Sequence, residues 1–227
     1  MSGTRFKPRY KICTRIEENI WPNKKFTSFK NNKWASILRY TNSQIDLEGY
    51  LRSKEPGLGE VPTLAGEYGD QLRARQAIKA FYGLKEKKFK KIFRESNFDR
   101  RRSQKTFLGL LERRLDIVLV RTGLANTIFQ AKQRILHGFY LINGKKIKSP
   151  SYRIKNGEIL QIKEIHWKKV YEDLNHRIEK NDDIRYPPDY LLIDFYTLNV
   201  IFLREPSINE VIYPWHANIK LVREYYR

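Results

Sequence analysis

Arg114 and Arg121 stand seven residues apart in "LERRLDIVLVRTG", so on one helix both would project from the same face, two turns from each other. Lys132, Gln133, Arg134 and His137 follow on a second helical pattern. Lys145, Lys146 and Lys148 then crowd the residues after Asn143-Gly144. Guanidinium forks and ammonium groups in such numbers bind phosphates, the fork through paired N–H donors and the ammonium as a flexible point charge. Upstream, Arg73 and Arg75 lie on one helical pattern, Lys88 lies on the next, and Arg101 and Arg102 belong to a run of three arginines. Bond-breaking chemistry has no comparable support. Asp70 and Asp116 are single carboxylates with no paired partner in view, and Asp116 reads as support for its helix. The single Cys13 excludes an internal disulfide framework and a multi-cysteine zinc site. There is no Gly-rich phosphate loop and no acid–base cluster. The expectation is therefore no catalytic residue, no metal, no cofactor and no small-molecule substrate.

The whole chain carries the same bias. Its 227 residues hold 45 basic and 25 acidic side chains, a net charge of +20. Self-repulsion of that order is tolerable when a polyanion neutralises it in the working state. Nucleic acid is the first candidate and an anionic membrane surface the second. Hydrophobic residues make up 41%, enough for real cores, and no run approaches the roughly 18 apolar residues of a membrane helix. No membrane partner is expected.

Several elements must position these groups. Residues 1–66 show little periodicity and read as a largely irregular extension, with loops at Trp21-Pro22-Asn23 and Glu55-Pro56-Gly57. Residues 67–110 read as helical. Ala74, Ala77, Ile78 and Phe81 share one face opposite Arg73, Arg75, Gln76 and Lys79, and Gly83 offers a stop. In "KEKKFKKIFRES", Phe89, Ile92 and Phe93 oppose Lys87, Lys88, Lys90 and Lys91. Residues 111–165 form a compact module. Leu111, Leu115, Val118 and Leu119 make the stripe of one helix ending at Gly123; Asn126 N-caps the next, which Gly138 ends. On that second helix Ile128, Ala131 and Ile135 point inward, and Lys132, Gln133, Arg134 and His137 face solvent. Asn143-Gly144 is a two-residue hairpin turn, Asn156-Gly157 a second turn, and "EILQIK" alternates as a strand. Residues 166–185 read as a polar linker, partly helical, and residues 186–227 as a β-rich tail packing back on the body. The fold class is α+β.

"LERRLDIVLVRTGLANTIFQAKQRILHGFYLINGKKIKSPSYRIKNGEIL" resembles the S4 RNA-binding domain, two helices plus a small antiparallel sheet, over its whole length. "YGDQLRARQAIKAFYGLKEKKFKKIF" is similar to the helical segment that precedes this module in the small-subunit ribosomal protein S4 family. "RFKPRYKICTRI" and "LVREYYR" resemble that family's two ends, while residues 24–66 and 166–185 match poorly. The resemblance implies a non-catalytic constituent of the small ribosomal subunit that binds its rRNA where several helices join and acts early in assembly. It also implies neighbouring small-subunit proteins as partners and a place near where messenger RNA enters. Phe139 stands where the family often has a second His, and some members carry an N-terminal cysteine zinc site that a lone Cys13 cannot build.

Structured RNA is read by shape and phosphate geometry. On that reading Arg73, Arg75, Lys88, Arg101, Arg102, Arg114, Arg121, Lys132, Gln133, Arg134, His137, Lys145 and Lys146 form the RNA-binding set, with the hairpin as the lip of the cradle. The plain alternatives are a solvated helix for Arg114 and Arg121 and a helix-dipole role for His137. Tyr82, Phe89 and Phe93 read as core rather than as stacking platforms. The rival functions are an RNA-modifying or aminoacylating enzyme with an appended module and a free RNA-binding factor. The first lacks a catalytic domain, and the second lacks the preceding helical segment. The acid-free first residues also look like a mitochondrial presequence, although Pro8 interrupts a clean helix and the family-like N-terminus begins at residue 5. Asn-, Lys-, Ile- and Tyr-rich composition points to a mitochondrially encoded member, with a plastid or bacterial cytoplasm as the alternative.

Overall fold

The computed structural model describes residues 12, 13, 16, 20, 67–96, 103–179, 187–215 and 217–226. Most of the 1–66 extension, with Arg101, Arg102 and residues 180–186, lies outside them. The chain divides into two compact units, residues 1–86 with 213–227, and residues 87–212.

In the first unit, α1 (Glu67–Phe81) buries Ala77, Ile78 and Ala80. Cys13, Ile16 and Ile20 join Ala77 and Ala80 in one apolar cluster, so Cys13 is a small core side chain. The C-terminal helix, which becomes α7 (Ile219–Tyr225), packs against α1 and starts at Asn218, whose side chain accepts from the Lys220 and Leu221 N–H groups. Phe81 meets Tyr213 and Trp215 edge-on, and the Tyr82 and Tyr213 hydroxyls are 2.7 Å apart.

The second unit opens with most of α2 (Glu86–Ser96), which buries Phe89, Ile92 and Phe93 and leaves Lys87, Lys88, Lys90 and Lys91 exposed. Phe107 on α3 (Ser103–Glu112) meets Phe89 and Phe93 edge-on, so these rings are core. The single helix read across Leu111 to Val120 is two. α3 stops at Glu112, and α4 runs Leu115–Arg121. Between them Arg114 is extended, with φ −69° and ψ 134°, and forms a β-bridge with Arg153. Ile154 N–H donates to Arg113 O and Leu115 N–H to Tyr152 O, both at 2.8 Å. The loop at residues 152–154 thus takes backbone groups that a continuous helix would have satisfied internally.

α5 (Ile128–Leu136) is capped by Thr127, one residue later than the sequence reading; its side chain accepts from Gln130 N–H, while Asn126 N–H donates to Gln130 Oε1. The sheet contains β1 (Tyr140–Ile142), β2 (Lys145–Lys146), β3 (Ile159–Ile162), β4 (Leu191–Asp194) and β5 (Asn199–Phe202). All neighbours are antiparallel in the order β2-β1-β3-β5-β4. Asn143 and Gly144, at φ 48° and 76°, make the mirror-image turn that matches strand twist. Asn143 also accepts from Ile159 N–H through its side chain at 3.0 Å, tying the hairpin to β3. Tyr140, Ile142, Leu160, Ile162, Val200 and Phe202 alternate onto one face and share a core with Leu115, Val118, Leu119, Ala131 and Ile135.

The described part of the segment read as a polar, partly helical linker is helical, α6 (Glu164–Glu179), with Val170 fully buried and Trp167 and Leu174 packed on that core. Arg177 Nη2 fastens it to Gly123 O at 2.6 Å. The β-rich run after Tyr190 completes the sheet, with β5 beside β3.

Candidate nucleic-acid interface

Three arginines assigned to RNA contact are turned inward. Arg114 is 4% exposed and grips Asp116 with both ends of its fork, Nε to Oδ1 at 3.0 Å and Nη2 to Oδ2 at 2.7 Å. Arg121 holds Glu112 through Nε and Nη2 at 2.9 and 2.8 Å, and Nη1 donates to Ile212 O. Arg134 donates to Leu124 O at 2.7 Å and pairs with Asp173. Arg114 and Arg121 share one cause, whereas the Asp173 partner of Arg134 is itself 44% exposed and the buried contact of Arg134 is the Leu124 carbonyl. A buried carboxylate such as Asp116 or Glu112, both fully buried, is stable only with a counter-ion and satisfied lone pairs. The bidentate fork of Arg is the best such partner. Because Arg114 lies in the extended link before α4, the seven-residue spacing to Arg121 also loses its helical meaning. Arg114, Arg121 and Arg134, which the sequence reading placed at the RNA, thus brace the fold through these internal bonds. Arg75 is similarly committed within the first unit, 2.5 Å from Glu86 and 4.2 Å above the Tyr225 ring, with Arg73 half-buried on the same helix.

What remains outward is a row of polar and basic side chains around α5. Gln133 and His137 are exposed on it, His137 as its C-cap. Lys132 is 27% exposed, with Nζ 3.7 Å from Asp116 Oδ2. Burial lowers the Lys132 pKa; the Asp116 charge opposes this, and the positive charges of Arg114 and Lys88 lower it further. Exposed Lys88 on α2 therefore lies within electrostatic reach of Lys132. At the other end of α5 a Cβ on Gly138 would fall 2.3 Å from Lys146 Cε, so the Lys146 stem lies directly over that turn. Lys145 and Lys146 are both exposed on β2. Lys132 to Gly138 spans about 9 Å at helical rise, the length of α5 that separates Lys132 from the turn over which the Lys146 stem lies. Between Asp116 and Glu158 the chain holds eight basic residues and no Asp or Glu. An anion brought to Lys88 and Lys132 would relieve like-charge repulsion that the folded protein otherwise bears.

The sequence reading missed Phe129, Leu136 and His166. Phe129 and Leu136 are 39% and 49% exposed on the outer side of α5. Their i, i+7 spacing was the available signal. Phe139 is 9% exposed and stacks on His166 with ring centres 3.8 Å apart and planes 6° from parallel. At this position the ring completes the core beside α6. Among the described residues no cluster of three or more His, Cys, Asp or Glu could hold a metal, and no helix is long and apolar enough to cross a membrane.

Residues 113–160 match the S4 domain, and residues 5–112 match the family described as ribosomal protein S4/S9 N-terminal domain. Proteins named small ribosomal subunit protein uS4 align along nearly the whole chain. The one from Ruegeria sp. is 34% identical over 223 residues, 98% of this chain and 97% of its own. The uS4 proteins of Parvibaculum lavamentivorans and Cereibacter sphaeroides are 34% and 32% identical over the same shares. The chain belongs to the uS4 family. The two matched regions of this uS4 chain meet between residues 112 and 113, where α3 ends and the backbone turns to pair with residues 152–154. The S4 domain match stops at Leu160, inside β3, so α6, β4 and β5 extend the uS4 sheet beyond it.

Proposed function

We infer that this uS4 chain is a structural protein of the small ribosomal subunit that binds small-subunit rRNA and does no catalysis. The observation that carries the mode of binding is the division of labour among the basic groups. Arg114, Arg121 and Arg134 are held by carboxylates and carbonyls of the fold, Lys88, Gln133, His137, Lys145 and Lys146 are exposed, and Lys132 is part-buried between the two sets beside Asp116. Lysine point charges on a rigid helix and hairpin suit the phosphates of folded RNA, which is recognised by shape more than by base sequence. Contact with a multi-helix junction, action early in assembly, neighbouring small-subunit proteins and a position near where messenger RNA enters belong to the same proposal, supported by membership of the family. The bacterial relatives favour a bacterial cytoplasm over the mitochondrial matrix suggested by composition.

The test is gradient sedimentation of a lysate of the source cell, with the protein followed by antibody at high and low magnesium. Travel with the small subunit in both, surviving a moderate salt wash, is the expected result. A band at the top of the gradient would make the protein a free RNA-binding factor. Organelle fractionation of the same lysate decides between cytoplasmic and mitochondrial ribosomes.

A further inference from the structure

α5 carries two large apolar side chains on its wet side, in the middle of a basic surface. Phe129 is 39% exposed and Leu136 49%, seven residues apart and so two turns apart on one face, with Lys132 and Gln133 between them. The inward face of the helix buries Ala131 and Ile135, so Phe129 and Leu136 lie on its opposite side, each partly open to solvent. The surroundings limit what can cover them. The Lys132 ammonium lies 5.9 Å from the Phe129 ring centre, Asp116 beneath it is shared with Arg114, Lys88 adds positive charge, and no Asp or Glu occurs from residue 117 to 157. An apolar protein partner would have to desolvate these cations or bring carboxylates of its own. A nucleotide meets the same surface with a π-face for the ring and a phosphate for the ammonium.

We propose that Phe129 is a stacking platform for an unpaired nucleobase of the rRNA, with Lys132 holding the adjoining phosphate and Leu136 lying against the neighbouring sugar. The proposal rests on the rRNA-binding reading above and adds a site to it. The stacked base is extruded from its helix, as bases at junctions and bulges are, because a base inside a duplex has no free face to offer. Stacking on an aromatic ring is tolerant of base identity, so the site contributes affinity and register more than sequence choice.

The experiment measures binding of the full chain to in vitro transcribed small-subunit rRNA over a range of salt concentrations, for the wild type and for Phe129→Ala, Phe129→Leu and Phe129→Trp. Loss of one stacked base weakens binding roughly 5- to 100-fold. Phe129→Ala and Phe129→Leu should both show that loss with an unchanged salt slope, and Phe129→Trp should restore affinity. Ultraviolet cross-linking should place a nucleotide on the peptide containing residue 129. Wild-type affinity in the alanine variant, with no cross-link, overturns the platform while leaving rRNA binding intact. Retention by leucine but not alanine also overturns it, since a purely apolar contact needs no π-face. Weakened incorporation into assembled subunits with normal binding to naked rRNA would assign the face to a protein neighbour instead. No binding by the wild type would defeat the rRNA reading itself.

Discussion

Asp116 decides the roles of two cations, Arg114 and Lys132. Fully buried, it takes both ends of the Arg114 fork and the Lys132 ammonium, so one carboxylate holds the start of α4 and orients α5 from beneath. Replacing it by Ala would leave Arg114 at 4% exposure without its carboxylate, and breaking a buried pair in this way costs about 3–5 kcal/mol. Asp116→Ala should therefore unfold at markedly lower denaturant concentration, and a midpoint near wild type in a urea titration would contradict the assignment. The sequence offered Asp116 correctly as structural support. It could not show that Arg114 was the partner, because two arginines are adjacent and only the break after Glu112 turns one inward to the carboxylate while the other, Arg113, reaches Glu205. Residue type announces a phosphate binder and an internal counter-ion equally well.

Turns and hydrophobic periods at the level of elements were legible wherever one local signal dominates. Asn143-Gly144 demands two positive φ values, which few other residue pairs accept, and the hairpin formed as read. The α3–α4 break and the docking of α6 on the core were not legible for opposite reasons. Leu111, Leu115, Val118 and Leu119 keep helical spacing across the break, which accompanies a β-bridge to the distant residues 152–154. In α6 the apolar line of buried Val170 with half-buried Trp167 and Leu174 is thin and surrounded by charge, so a docked helix resembles a polar linker. Two glycines separate stability from function in this region. Gly144→Ala meets no neighbour and bears only the backbone penalty at φ 76°, about 1–2 kcal/mol. Gly138→Ala carries a similar penalty at φ 74° and also pushes the Lys146 side chain aside. Both variants should lose stability by chemical denaturation, but only Gly138→Ala should weaken rRNA binding in the folded protein. Equal affinities would remove Lys146 from the interface.

For the whole molecule, charge has two uses, bracing within each unit and attraction to RNA at the surface. In the first unit the end of the chain returns to α1 through Glu86, which accepts from Arg75, Lys79 and the Tyr226 hydroxyl at 2.5, 2.8 and 2.6 Å. Burial works against the ionised Glu86 carboxyl, but the hydrogen bonds from Lys79 and Tyr226 and the nearby positive charges outweigh it and hold its pKa below the ordinary 4.5. A depressed carboxyl contributes stability that is present above its unfolded value and is lost as pH falls through its folded one. Glu86→Gln should therefore lower stability at neutral pH and narrow the gap to wild type below about pH 4; a constant difference from pH 7 to 3 would place the clamp elsewhere. The surface use is the central claim, and the salt dependence of rRNA binding tests it most directly. The triple variant Lys88→Ala, Lys145→Ala, Lys146→Ala and the double variant Arg114→Ala, Arg121→Ala should be compared with wild type from low to moderate salt. Each lost phosphate contact removes a little under one counter-ion from the slope of log K against log salt, so the triple variant should be shallower by about 2 to 3. The arginine pair should lose stability and, under conditions where it remains folded, keep the wild-type slope. A flattened slope from the arginines, with an unchanged one from the lysines, would reverse the assignment of which charges face the RNA.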